Sequence, residues 1–186
     1  MRGFHSILFA AVLLLLSAPP AAAELRISDL DVYLNDHEVT VHVVLLGALP
    51  DGLNEGIQSG IPAHIRLVIE LWQYQRMRPD RILITKTIER SLTYNVVTRE
   101  FKVATVQGET RPVFTTRDLR DAQRVLSDIR GVKMTPAATL DPTAVIYVRV
   151  QAETALNGEN TFVARMNGTA EHTERQSDYR TIQRVH

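Results

Sequence analysis

Ile61-Pro62-Ala63-His64-Ile65-Arg66-Leu67-Val68-Ile69-Glu70-Leu71-Trp72-Gln73-Tyr74-Gln75 is the stretch whose spacing decides the fold. Ile61, Ala63, Ile65, Leu67, Ile69 and Leu71 alternate strictly with His64, Arg66, Val68, Glu70, Trp72 and Tyr74. A period of two puts one set on each face of an extended strand, whereas a helix of this length would mix the two sets around its circumference. Enrichment in Ile, Val, Trp and Tyr favours the strand as well. One face is therefore core, and the other is amphipathic and half covered.

The same period continues on both sides. Upstream it predicts strands over 25–34 and 38–46, joined across Asn35-Asp36 as a hairpin. Between that hairpin and the long strand, Asp51 is placed to cap a short helix that runs to Ile57 and ends at Gly60. Downstream, Met77-Arg78-Pro79-Asp80 reads as a turn. Strands are then predicted over 81–89, 92–97 and 99–106, the last two paired. The period changes to 3.6 over 115–130, where Leu119, Ala122, Leu126 and Ile129 form one stripe. Thr115 is the expected N-cap of that helix, with Asp118 three residues on, and Gly131 sits where a closing glycine belongs.

Residues 133–142 read as a proline-containing connection and 143–152 as a further strand. Beyond Thr154 the pattern fades. Phe162, Val163 and Met166 suggest one more short element, 171–186 is strongly polar, and its last part reads as a mobile tail. With no βαβ alternation, the expected class is α+β and mainly antiparallel β: a sandwich-like sheet with one long and one short helix. The expected organisation is a leader over 1–23, a mostly β domain over 24–153 and a polar C-terminal segment, partly ordered, over 154–186.

The leader is read from its own grammar. Arg2 precedes an uncharged run from Ile7 to Ser17, followed by Ala18-Pro19-Pro20-Ala21-Ala22-Ala23. That order is a basic region, an apolar region and a small-residue cleavage site, which places the cut before Glu24. The apolar run is shorter than the ~20 residues a spanning helix needs. The expectation is an exported periplasmic protein with no transmembrane segment after cleavage. Losing Arg2 with the leader leaves 20 Lys and Arg against 21 Asp and Glu. Such balance gives no electrostatic reason to seek nucleic acid. Cysteine is absent, so stability rests on the core rather than on disulfides or thiolate metal sites.

Chemistry-bearing patterns are sparse. No histidine pair has metal-ligand spacing. Gly56-Ile57-Gln58-Ser59-Gly60 resembles a nucleophile elbow but has its serine one position late, and it follows a helix rather than a strand. Asp29 and Asp31 share a strand face as a weak cation site, and Arg66 and Glu70 are placed for a lateral contact. Asn167-Gly168-Thr169 is a sequon of little specificity. No catalytic, cofactor or metal residue is expected. The candidate site is instead an interaction face on the long strand: Arg66, Glu70, Trp72 and Tyr74, with Val68 and Arg76 beside them. Trp, Tyr and Arg dominate binding hot spots, although a lone Trp is as readily explained by packing under a neighbouring element.

Several segments together resemble the DUF4390 family of exported proteobacterial proteins of unknown function. They are the leader, Leu53 to Gln58 running into Ser59-Gly60-Ile61-Pro62 and the strand ending Glu70-Leu71-Trp72, the Ser91-Leu92-Thr93-Tyr94 to Thr98-Arg99-Glu100-Phe101 hairpin, the Leu119 helix and Val145-Ile146-Tyr147-Val148-Arg149-Val150. Ser177-Asp178-Tyr179 is similar to a Ser-x-aromatic near the family's end. The resemblance implies no catalytic residues. It does imply an envelope partner, such as a membrane sensor histidine kinase. The leading expectation is a non-enzymatic binding or interaction module. The alternatives are a small hydrolase or transferase using His64, Glu70 or Ser59, and a small-ligand or lipid carrier with an apolar cavity between sheet and helix.

Overall fold

The computed structural model describes residues 24–49, 51–156 and 170–181. The expected leader, the element around Phe162, Val163 and Met166, and the Asn167 sequon lie outside the described residues. In chain order the elements are β1 (Arg26–Asn35), β2 (Glu38–Leu46), α1 (Asp51–Gln58), β3 (Ala63–Gln73), β4 (Arg81–Asn95), β5 (Glu100–Gln107) and β6 (Phe114–Thr116). They continue with α2 (Leu119–Ser127), β7 (Asp128–Pro136), a 3-10 turn (Ala137–Thr139), β8 (Val145–Leu156), β9 (Ala170–Gln176) and β10 (Arg180–Thr181). The protein is α+β with mainly antiparallel strands in two sheets.

The long alternating strand is the centre of the larger sheet. β3 pairs antiparallel with β4 on one side and β8 on the other. The order β10-β8-β3-β4-β5-β6, with β9 also on β8, completes it. The second sheet is β1-β2-β7. Ala63, Ile65, Leu67, Ile69 and Leu71 of β3 are wholly buried, as are Val41 and Val43 of β2 and Val148, Val150 and Ala152 of β8. The apolar faces of both sheets thus share one interior, each fully buried Leu or Ile contributing about 1.5–3 kcal/mol.

The β1–β2 hairpin turns through Asp36 and His37, with φ of 51° and 63°. Two consecutive left-handed residues make the tight turn whose twist matches the flanking strands. In α1, Leu53 and Ile57 are buried as their spacing predicts; the Asp51 side chain lies outside the described residues. Gly60, at φ 88°, closes the helix: its N–H donates to the Ile57 carbonyl, and the Ile61 N–H to that of Gly56.

Two expectations are corrected. The strands expected over 81–89 and 92–97 are the single β4, whose pairing with β3 runs unbroken through Arg90 and Ser91. The helix expected over 115–130 is only the nine residues of α2. Its N-cap is Asp118, whose Oδ1 accepts from the Arg120 N–H at 2.8 Å, while Thr115 lies in β6. Ile129 fits the helical stripe but belongs to β7, buried opposite Val43. Gly131, at φ 72°, sits at the register shift between Val41 and Val43 rather than behind a helix.

The C-terminal segment, expected to be polar and partly ordered, carries two further strands. Its residues 170–176 form β9 along β8. Leu25 N–H donates to Glu171 Oε2 at 2.6 Å, Arg175 Nη1 to the Ile27 carbonyl at 3.0 Å, and Arg180 Nη1 to the Val32 carbonyl at 2.7 Å. Polar bonds to β1, not apolar burial, hold this segment. No helix among the described residues is long and apolar enough to cross a membrane.

Candidate functional site

The outward-facing residues of β3 share a surface with those of β8, because directly opposed residues of an antiparallel pair point to the same face. Arg66 is opposite Glu153, Glu70 opposite Arg149, and Trp72 opposite Tyr147. Trp72 and Tyr147 stack, with ring centroids 6.1 Å apart and planes 10° from parallel. The Arg149 guanidinium lies over the indole, 4.7 Å from its centroid, a cation–π arrangement. The indole N–H donates to Glu70 Oε2 at 2.9 Å, so the Glu70 carboxylate serves Trp72 rather than the expected contact with Arg66.

Tyr179, next to β10, completes the group. Its ring lies edge-on to Tyr147 at 5.1 Å and to Tyr74 at 5.5 Å. Tyr147 is buried, and its hydroxyl donates to Asp80 Oδ2 at 2.9 Å. Asp80 Oδ1 in turn accepts from the Gln75 N–H, which ties the β3–β4 turn to the cluster. Burial and the Asp80 carboxylate push the Tyr147 phenol up to about 12. Tyr74 and Tyr179 are 43% and 54% exposed, and Met77 and Ile82 nearby in sequence are also exposed. The four residues expected as an interaction face therefore divide. Trp72, Tyr74 and Glu70 join one aromatic cluster, while Arg66 stands exposed, six residues before Trp72, between Glu89 and Glu153.

The residues of the alternative readings do not assemble. His64 Nδ1 lies 3.2 Å from Glu89 Oε1. Ser59 Oγ donates to the Glu55 carbonyl at 2.8 Å in the turn after α1. Glu70 is six residues further along the extended strand than His64, about 20 Å away, and is engaged with Trp72. No nucleophile, base and orienting group therefore converge among these three. Beneath α2, where a carrier would need its cavity, Ala122 and Leu126 are wholly buried, as are Ile129, Ile65 and Leu67 of the same apolar core. Asp29 accepts from Ser28 Oγ at 3.1 Å, and Asp31 lies 3.9 Å from His42. Among the described residues no group of three or more acidic or histidine side chains is placed to hold a metal ion.

The sequence reading missed a buried, multiply bonded cation. Arg90, on the core-facing side of β4, is 2% exposed. Its Nε donates to Glu109 Oε1 and its Nη2 to Glu109 Oε2 at 3.1 Å. Its Nη1 donates to the Val125 and Asp128 carbonyls at 2.5 and 3.0 Å. One guanidinium thus neutralises a carboxylate and satisfies carbonyls at the α2–β7 junction, where a helix end leaves acceptors without intrahelical partners. Burial pushes the Glu109 carboxyl up, but the bonds and charge of Arg90, with Arg111 and Thr105, outweigh it and hold it below the ordinary carboxylate value. The signal that could have found Arg90 was the alternation itself: carried from Ile88 to Leu92 without a break, it puts Arg90 inside.

No curated protein and no solved structure matches the chain. The family described as "Domain of unknown function (DUF4390)" matches residues 22–157, from just ahead of β1 to the end of β8. The chain covered by that match includes the whole of β3, β4 and β5, both helices and Tyr147, and the protein belongs to the DUF4390 family.

Proposed function

We propose that the protein is a non-enzymatic binding module of the bacterial periplasm, exported by a leader cut before Glu24, that docks an envelope protein through the aromatic cluster on the outer face of the larger sheet. The partner we favour is the external domain of a membrane sensor histidine kinase. The observation that carries the reading is the construction of that cluster. Trp72 and Tyr147 are fixed by stacking, by Arg149 and by bonds to Glu70 and Asp80; the exposed ring of Tyr179 leans on Tyr147, and that of Tyr74 on Tyr179. Rigid, partly exposed aromatics bind at low entropic cost, which is why they dominate hot spots.

The test is site-specific photo-cross-linking in cells. A photoreactive residue at Tyr74 or Tyr179 should capture one discrete envelope protein, and Trp72→Ala should abolish the adduct. The same label at Val97, 93% exposed on the β4–β5 loop, should capture none. Equal capture from all three positions would refute the docking face. Amino-terminal sequencing of the exported chain tests the leader: the expected first residue is Glu24.

A further inference from the structure

Two cations occupy core-facing positions of β4, and they are treated differently. The core-facing run is Ile84, Lys86, Ile88, Arg90 and Leu92, opposite Leu71, Ile69, Leu67, Ile65 and Ala63. Arg90 has Glu109 as its counter-ion. Among the described residues Lys86 has only an uncharged acceptor: its ammonium crosses the gap between the sheets and donates to the Lys133 carbonyl on β7. The gap opens there as a cleft of about 330 Å³, lined by the cations Lys86, Arg111, Arg130 and Lys133 and by the carboxylate of Glu109, which Arg90 neutralises.

Two of the other lining cations are turned to carboxylates. Arg130 Nη2 lies 2.7 Å from Asp128, and Lys133 Nζ lies 2.6 Å from Glu38. Arg111 is not held in that way. Its Nε lies 3.8 Å from Glu109 Oε2, and both oxygens of that group are bonded to Arg90. Lys86 and Arg111 thus share one concave mouth: among the described residues Lys86 meets no carboxylate, and Arg111 has only the Glu109 group that Arg90 already holds. Gly131, on its rim, leaves backbone where a side chain would project into open space: a Cβ there would meet nothing within 4 Å.

We propose that this cleft is a binding site for a compact oxyanion, a phosphate group or a small di- or tricarboxylate, held between the Lys86 ammonium and the Arg111 guanidinium. The pairing suits such a ligand: a guanidinium grips two oxygens in a fixed fork, while an ammonium supplies a point charge. The volume is at the lower end for small-molecule sites. The site is independent of the aromatic cluster, which occupies the opposite face of the larger sheet.

The test is an amide NMR titration of the purified chain with inorganic phosphate and, separately, with citrate, at constant ionic strength. One anion or both should give saturable shifts at 108–111 and 130–133, with half-saturation below about 20 mM, and Lys86→Gln and Arg111→Gln should each weaken binding about tenfold. Lys102→Gln, an exposed change elsewhere on β5, should leave it unchanged. Whichever anion saturates identifies phosphate or carboxylate chemistry. Absence of saturation by either anion overturns the proposal, as does equal binding by wild type and Lys86→Gln; in that case Lys86 serves only to shield the free edge of β7. Should Lys86→Gln fail to fold, Arg111→Gln decides by the same criterion.

Discussion

Removing the Arg90 guanidinium while keeping its apolar stem, as in Arg90→Met, strips the counter-ion from Glu109 and leaves the Val125, Leu126 and Asp128 carbonyls short of a donor. Breaking a buried pair by deleting one partner costs about 3–5 kcal/mol, because the surviving charge stays where it cannot be fully hydrated. The Glu109 side chain keeps 15% of its exposure, so the lower end applies: about 3 kcal/mol, a large share of the ~5–15 kcal/mol that holds a domain together. With a urea slope of about 2 kcal/mol per molar, the midpoint should fall by about 1.5 M. Glu109→Gln keeps an acceptor for the guanidinium and should cost less, about 2 kcal/mol. Combined, the two changes should cost less than their sum by about 1–2 kcal/mol. The pH dependence has a fixed sign. The Glu109 pKa is lowered on folding from its ordinary 4.5. Its contribution is therefore complete above that value and lost as pH falls through the folded one. The gap between wild type and Glu109→Gln should be constant above about pH 5.5 and shrink on acidification. An Arg90→Met midpoint within about 0.3 M of wild type, with additive double mutants, would refute the assignment of Arg90 as the clamp on the α2–β7 junction.

Gly108→Ala should destabilise the chain by about 2 kcal/mol or more, since Gly108 has φ of 88° and an added Cβ would lie 1.9 Å from the Thr87 carbonyl oxygen; urea midpoints check this. Tyr147 should stay protonated to about pH 12 in the folded protein. A neutral phenol favoured by folding contributes stability below pH 10 that is lost as pH rises toward 12; the last step of tyrosinate absorbance should vanish in Tyr147→Phe. Leu126→Asp puts a charge at a wholly buried position of α2 and should abolish cooperative unfolding, read by near-ultraviolet circular dichroism.

Alternation located β3 because one face of that strand is purely apolar. The same argument gave β2 its observed bounds, Glu38–Leu46, and β1 to within a residue. It failed in β4 where a buried residue is charged. Arg90-Ser91 reads as a polar break only while Glu109 is out of view, and that partner lies 19 residues further along the chain. In α2 the failure ran the other way: Ile129 and Gly131 satisfy helical spacing by coincidence, and tertiary pairing with β2 overrides it. Trp72 and Tyr74 were visible as aromatics on one strand. Tyr147 and Tyr179 join them only through the β3–β8 register and the return of the C-terminal segment, which no local pattern encodes.

That segment also shows what the family match leaves to this chain. The match ends at residue 157, as β8 ends, and β9 and β10 lie beyond it. Without them β8 would present its outer backbone edge, a template for pairing with another chain. β9 occupies that edge from Arg149 to Ala155, while Ser177 Oγ accepts from the Val148 N–H at 2.9 Å and its own N–H donates to the Val148 carbonyl. Arg175 and Arg180 then reach β1, so one polar segment both seals the larger sheet and joins it to the smaller one. A polar strand suffices because neither task requires a buried face: edge pairing uses backbone groups, and the guanidiniums use carbonyls that β1 leaves free. Tyr179 follows Ser177 by two residues, so the backbone bonds that close the edge of β8 also set the position of an exposed ring in the aromatic cluster.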